Sequence, residues 1–189
     1  MKNKTSAKKP DADKVHALED ALLRLASGET DALAEIYGIC RVSVYGFALS
    51  ILKNSHDAED VMQDTFVKVF SEADRYQPQG KPLAWILTIT RNLCLHRLRH
   101  TSRLLENEED WDRHADTAAE GENLLDGLVL REAMTVLSEE ERQIVVLHAI
   151  SDMKHRQIAE VMGMPLPTVL SKYSRAMKKL RNRLQGDDL

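Results

Sequence analysis

The sequence predicts an all-α fold of two small helical domains joined by an acidic flexible linker. Three observations lead there. Only eight glycines and five prolines occur in 189 residues, so few turns are encoded and long helices are expected. Apolar residues recur at three- and four-residue spacing along most of the chain, and no stretch alternates with the period of two that a sheet needs. Charge falls into three blocks: 15 Lys and Arg against 13 Asp and Glu over residues 1–105, 1 against 9 over 106–126, and 10 against 8 over 127–189. The net charge of -4 therefore hides two mildly basic blocks that flank one acidic segment.

Composition sets the outer limits. With 30% charged and 5% aromatic residues, the chain is neither collagen-like nor a membrane bundle. Cys40 and Cys94 stand alone, without a CxxC or a Cys/His cluster, so neither a zinc module nor a secreted disulfide framework is expected, and a reducing cytoplasm fits. The longest apolar runs, Phe47 to Leu52 and Ile144 to Leu147, fall far short of the ~18 residues of a bilayer span. Lys2, Lys4, Lys8 and Lys9 are followed by Pro10, Asp11 and Asp13 rather than by an apolar stretch, so export and membrane insertion are not expected.

Residues 1–20 are expected to be a disordered N-terminal extension, although Val15, Leu18, Leu22 and Leu25 have helical spacing and Gly28 suits the end of that helix. A first domain is placed at residues 21–102. Within it, Asp31 can cap a helix carrying Leu33, Ile36, Tyr37, Cys40, Val44, Phe47, Ala48 and Ile51. Asn54, Ser55 and Asp57 form a turn and cap. Ala58, Val61, Met62, Thr65, Phe66, Val69 and Phe70 then make one buried stripe. A Pro/Gly loop from Tyr76 to Gly80 follows, and Pro82 suits the first turn of a helix reaching about His100.

The linker is placed at residues 103–127, where nine acidic residues follow no sustained helical period. The second domain, residues 128–185, contains the end of a helix running from near Leu124 to Leu137. Ser138 with Glu141 three residues later is a capping box for the next. A short helix from His155 to Met162 ends at Gly163, and a last helix runs from Pro167 to about Leu184, which is a helix-turn-helix pattern over about 154–173. On that last helix Val169, Leu170, Tyr173, Met177, Leu180 and Leu184 are expected to face inward, and Thr168, Ser171, Lys172, Arg175, Lys178, Lys179 and Asn182 outward. The second helix of such a motif is the one that enters the major groove.

Three faces carry candidate function. Asp57, Glu59, Asp60, Gln63, Asp64 and Val67 are left outside the apolar stripe of their helix; such a face is either solvated or a docking surface for a basic protein, and it cannot bind DNA. Trp85, Thr88, Asn92 and Arg99, with Arg91 and His96 adjacent, share one side of the helix from Pro82. An aromatic among Arg, Asn and Thr can stack on an unpaired base and bond its edges, although Trp85 also suits a core. Two basic runs with no acid between, Arg91, Arg97, Arg99 and Arg103, and then Lys172, Arg175, Lys178, Lys179, Arg181 and Arg183, form two stripes, each either a solvated face or a grip on nucleic acid. His96 and His100 are spaced to share a metal, but Arg97 and Arg99 between and beside them repel a cation, so no metal or cofactor is expected. No phosphate loop, nucleophile elbow or spaced carboxylate pair occurs, and catalysis is not expected.

The segments DAEDVMQDTFVKVF (57–70), KPLAWILTITRNLCLHRLR (81–99), LSEEERQIVVL (137–147) and RQIAEVMGMPLPTVLSKYSRAMKKLRNRL (156–184), in this order around an acidic linker, resemble a bacterial RNA polymerase sigma factor of the extracytoplasmic-function type. The resemblance covers the chain after about residue 20. It makes the first domain sigma region 2 and the second sigma region 4. It implies that Asp57, Glu59, Asp60, Gln63, Asp64, Phe66 and Val67 dock on the β′ clamp coiled coil of core polymerase, whose β flap is a second contact. It further implies that Tyr76, Lys81, Trp85, Thr88, Arg91, Asn92, His96 and Arg99 capture the melted minus-10 strand of promoter DNA. Pro167, Thr168, Ser171, Lys172, Arg175, Lys178 and Lys179 read the minus-35 duplex in the same reading, and an anti-sigma protein is an expected partner.

The chain departs from the family pattern at His96, where an acid is frequent, and at Pro167, Leu170 and Lys172. The rival reading, a helix-turn-helix regulator of the response-regulator output type, covers only residues 128–184, and a non-DNA helical adaptor is a third. Initiation by core polymerase only when this protein is added separates them.

Overall fold

The computed structural model describes residues 10–105 and 134–185, with side chains from residue 13 to 100 in the first part. Seven α-helices and one 3-10 turn occur among the described residues. They are α1 (Pro10–Ala26), α2 (Ala32–Leu52), α3 (Ser55–Glu72), the 3-10 turn (Ala73–Arg75), α4 (Pro82–Leu105), α5 (Glu139–Ala149), α6 (His155–Met162) and α7 (Leu166–Gln185). The expected linker and the helix from near Leu124 lie almost wholly outside the described residues.

α2 is the axis of the first unit. Its buried side chains Ala32, Ile36, Cys40, Val44, Phe47, Ala48 and Ile51 follow the helical period, and α1, α3 and α4 pack around them. By length and composition α2 could cross a membrane, yet half of its apolar stretch is buried in the protein core. Burial pushes the Cys40 and Cys94 thiols up to about 12, so both behave as small apolar fillers.

Local signals set the boundaries. Asp31 precedes α2 but makes no side-chain capping bond. α2 ends at Lys53 in the left-handed region, and Asn54 Oδ1 accepts the Asp57 N–H at 2.9 Å to open α3. Ser138 and Glu141 form the expected capping box at the start of α5. Gly163, at φ 64°, closes α6 in a conformation that glycine adopts without steric cost.

α1 begins at Pro10, and Leu18, Ala21, Leu22 and Leu25 are buried, so the ordered unit starts well before residue 21. Glu19 of α1 also fixes the loop after the 3-10 turn, accepting from the Tyr76 hydroxyl at 2.8 Å and from the Gly80 N–H at 2.9 Å. Across the bundle, the Thr65 hydroxyl of α3 donates to Val61 O at 2.7 Å and lies 3.4 Å from that of Thr90 on α4.

The helices α5 to α7 form the second unit. Ile144, Leu147, Ile158, Val161, Met162 and Val169 are continuous with the core of the first unit, and Leu137, Val145, Ala176 and Leu180 make a smaller cluster between α5 and α7. α5 rests on α2, and α6 rests on α4.

Candidate polymerase and nucleic-acid interfaces

The acidic face of α3 is exposed at Glu59, Asp60, Gln63, Asp64 and Val67, but Phe66 is not part of it. Phe66 is 6% exposed, with its ring 4.8 Å from that of Tyr37 on α2, and serves as a core anchor. The aromatic on the surface is Phe70, expected in the buried stripe but 48% exposed. With Val67 at 68% it adds an apolar step to the acids. Thr65, Phe66 and Val69 already fill the interior side, which leaves Phe70 one residue too far around the helix.

Asp57 is half-buried, and Arg97 of α4 holds it: Arg97 Nη2 lies 2.7 Å from Asp57 Oδ1 and 2.8 Å from Asp60 Oδ2. Burial works against the Arg97 charge, but the two carboxylates outweigh it and hold the guanidinium pKa above its ordinary value. A groove of about 460 Å³ runs beside this link, lined by Asp57, Val61 and Asp64 of α3 and Leu93, His96, Arg97 and His100 of α4. His96 thus opens toward the acidic helix. No cluster able to hold a metal occurs among the described residues.

On the α4 face, Thr88, Asn92 and Arg99 are exposed and Arg91 is half-buried. The Thr88 hydroxyl donates to Ala84 O at 2.8 Å, and Arg99 Nε donates to Leu95 O at 3.2 Å, so both side chains lie along the helix. Tyr76, expected to meet DNA, is 8% exposed and packs its ring 5.3 Å from that of half-buried Trp85. Burial, then the Glu19 carboxylate, raise the Tyr76 hydroxyl pKa. Lys81 is ion-paired with Glu160 of α6 at 2.6 Å.

On α7 the inward stripe is Val169, Tyr173, Ala176 and Leu180, rather than the expected set with Leu170, Met177 and Leu184. Those three, spaced by seven, form an exposed apolar seam, and Leu170 is 46% exposed. Pro167, Ser171, Arg175 and Lys178 point outward, and Thr168 is half-buried. Lys178 has no ion pair among the described residues. The other cations turn to α5: Lys172 pairs with Glu140, Lys179 Nζ lies 2.7 Å from Glu141 Oε2, and Arg175 Nε lies 3.9 Å from Glu141 Oε1. Glu141 is almost fully buried. Desolvation raises its pKa, but Lys179 and Ser138 outweigh that and hold it below the ordinary carboxylate range.

His148, His155 and Tyr173 join α5, α6 and α7 in one ring cluster. The two imidazoles stack at 4.8 Å, and Tyr173 stands edge-on at 4.8 and 4.7 Å. His148 Nδ1 lies 2.9 Å from Met153 O, whereas the buried His155 Nε2 has no partner.

Comparison with known proteins decides what carries these faces. The Sigma-70 region 2 family matches residues 37–104 and the Sigma-70 region 4 family matches residues 128–180, together well over half of the chain. This protein belongs to the sigma-70 family, as an extracytoplasmic-function sigma factor. It is 35% identical over 147 residues to the ECF sigma factor SigE of Mycolicibacterium smegmatis, covering 75% of this chain and 57% of that relative. To SigW of Bacillus subtilis it is 23% identical over 181 residues, covering 89% and 97%. Among solved structures, CnrH in complex with the cytosolic domain of CnrY has a TM-score of 0.67 at 25% identity, covering 91% of this chain and 99% of that one. RpoE of Bartonella quintana, with the anti-sigma factor NepR, has a TM-score of 0.65 at 25% identity, covering 80% and 96%. The region 2 match does not favour the response-regulator alternative, which accounted for nothing before residue 128. As a sigma factor, the protein directs transcription initiation.

Proposed function

We propose that this sigma factor binds core RNA polymerase through Glu59, Asp60, Gln63, Asp64, Val67 and Phe70 of α3, with the β′ clamp as partner and the β flap meeting region 4. Region 2 (21–102, extended by α1) captures the melted minus-10 strand, and region 4 (128–185) reads the minus-35 duplex. The observation that carries the reading is the order of the two sigma-70 matches on one chain, with α3 presenting exposed acids beside an apolar step. Acids on α3 and exposed Thr88, Asn92 and Arg99 on α4 suit two different partners, one basic and one polyanionic. Pro167, Ser171, Arg175 and Lys178 give α7 an outward row for a major groove. Such a factor acts in the cytoplasm without catalysis of its own. An anti-sigma protein is a proposed partner because both similar structures were solved with a second protein, named as an anti-sigma factor for RpoE.

Co-elution with core polymerase on size exclusion tests the docking half of this reading. The wild-type chain elutes with the enzyme and an Asp60→Lys/Asp64→Lys chain does not. Equal co-elution of both overturns it.

A further inference from the structure

α1 holds the loop that precedes α4 through one carboxylate oxygen. Oε1 of Glu19 accepts from the Tyr76 hydroxyl at 2.8 Å and from the Gly80 N–H at 2.9 Å, so it ties together the two ends of the segment from Tyr76 to Gly80. The support behind that oxygen is firm. Leu18, Ala21, Leu22 and Leu25 around it are buried, and α1 packs on α2, on the 3-10 turn and on α4, which fixes the backbone that carries the carboxylate. Between the two ties Gln77, Pro78 and Gln79 are exposed. Gly80 closes the loop at φ 69°, a left-handed conformation that glycine adopts without steric cost. The Tyr76 ring lies 5.3 Å from that of half-buried Trp85, so the carboxylate that holds the hydroxyl also sets where the phenol meets the indole.

We propose that Glu19 is a positioning residue for minus-10 recognition, holding the loop from Tyr76 to Gly80, and through Tyr76 the Trp85 indole, in one arrangement before DNA arrives. This deepens the promoter reading proposed above and rests on it. Glu19 lies outside the region 2 match, which starts at residue 37, and its carboxylate repels a phosphate, so it acts through the loop and not on the strand. Tyr76, too buried to meet a base, becomes the anchor of the loop. Hydrogen bonds to an ionised acceptor are stronger than neutral ones, which suits a tie that must survive exposure of the loop between its ends. A loop ordered in advance loses less conformational entropy on binding, and a wrong base then meets a fixed surface; a loose loop re-packs around whichever base is presented.

Initiation by holoenzyme, reconstituted from core polymerase and the full chain on a promoter library randomised at the minus-10 and minus-35 elements, tests this. The wild-type chain selects a defined sequence at both. Glu19→Ala keeps core polymerase affinity and the minus-35 selection, while discrimination among minus-10 sequences falls about tenfold, the scale of one lost hydrogen bond to a charged group. Glu19→Gln retains an acceptor oxygen and keeps most of the wild-type selection, and Tyr76→Phe, which loses one of the two ties, falls between. Thermal melts check that each variant is folded, and Tyr76→Phe, with its ring packing intact, carries the test if Glu19→Ala does not fold. Unchanged minus-10 selection in a folded Glu19→Ala chain overturns the proposal. An equal loss of minus-35 selection or of polymerase binding also overturns it, because Glu19 would then be a general support of the fold. A wild-type chain that initiates with no preference at the minus-10 element overturns the promoter reading instead.

Discussion

Arg97 Nη2 on α4 lies 2.7 Å from Asp57 Oδ1 on α3, and both residues line the groove between the two helices. The link joins the helix proposed to hold polymerase to the helix proposed to hold the melted strand. It also neutralises part of the acidic face, since the same nitrogen reaches Asp60. The carboxylates left for a basic partner are chiefly Glu59 and Asp64.

Polymerase binding therefore depends on Asp64 more than on Asp57. Asp64→Lys places like charge against a basic partner, which can cost several kcal/mol of affinity. Asp57→Asn removes a partner of Arg97 in a partly exposed pair and should change affinity by less than about 1 kcal/mol. Titration of each variant with core polymerase, with helicity checked by circular dichroism, separates the two.

The two aromatics of α3 should behave oppositely. Phe66→Ala empties a buried site against Tyr37 and should cost about 3–5 kcal/mol of stability. Phe70→Ala removes an exposed ring, so it should leave the thermal midpoint nearly unchanged while weakening polymerase binding. Thermal melts and pull-downs on both variants check the assignment.

The contrast marks how far the sequence carries. Helical period, the Asn54 and Ser138 caps and the Gly163 stop were readable because each depends on residues a few positions apart. Which side of a stripe stays outside was not, because Phe66 and Phe70 are both four-spaced and only packing against Tyr37 selects one. The same holds on α7, where Leu170, Met177 and Leu184 have as good a period as Val169, Tyr173, Ala176 and Leu180. Small Ala176 gave little signal. The acids that hold Lys172 and Lys179 lie about 30 to 40 residues away on α5, beyond any local pattern. The partners of Arg97, Asp57 and Asp60, likewise lie on another helix, about 40 residues earlier in the chain.

Leu170 offers a test of the recognition helix. Its exposure leaves room for a longer polar side chain, so Leu170→Lys should fold normally. One added phosphate contact steepens the salt dependence of minus-35 binding by about 0.9 in log-log slope, with little change in sequence preference. Arg175→Ala should instead relax preference at one position, at a cost of about 1–3 kcal/mol if the guanidinium leaves Glu141 for a base edge. A salt series in holoenzyme, on matched and shuffled minus-35 sequences, reads both.

The His148–His155–Tyr173 cluster predicts a pH dependence of region 4. Burial, then the neighbouring His148, lower the His155 pKa in the folded protein. The unfolded chain therefore takes up its proton first as the pH drops through the ordinary imidazole value of about 6.5. The contribution is fully present above that value and is lost as the pH falls toward the folded-state pKa. Thermal midpoints from pH 7.5 to 5 should decline in this range, and His155→Phe should flatten the decline.

Multiple-round transcription with purified core polymerase, on a promoter library drawn from a genome that encodes this protein, bears most directly on the central claim. Addition of the wild-type chain should yield discrete transcripts that core polymerase alone does not make, and Asn92→Ala should reduce them while polymerase binding persists. An identical transcript pattern with and without the protein, from a polymerase shown to have bound it, would contradict the assignment of promoter-directed initiation.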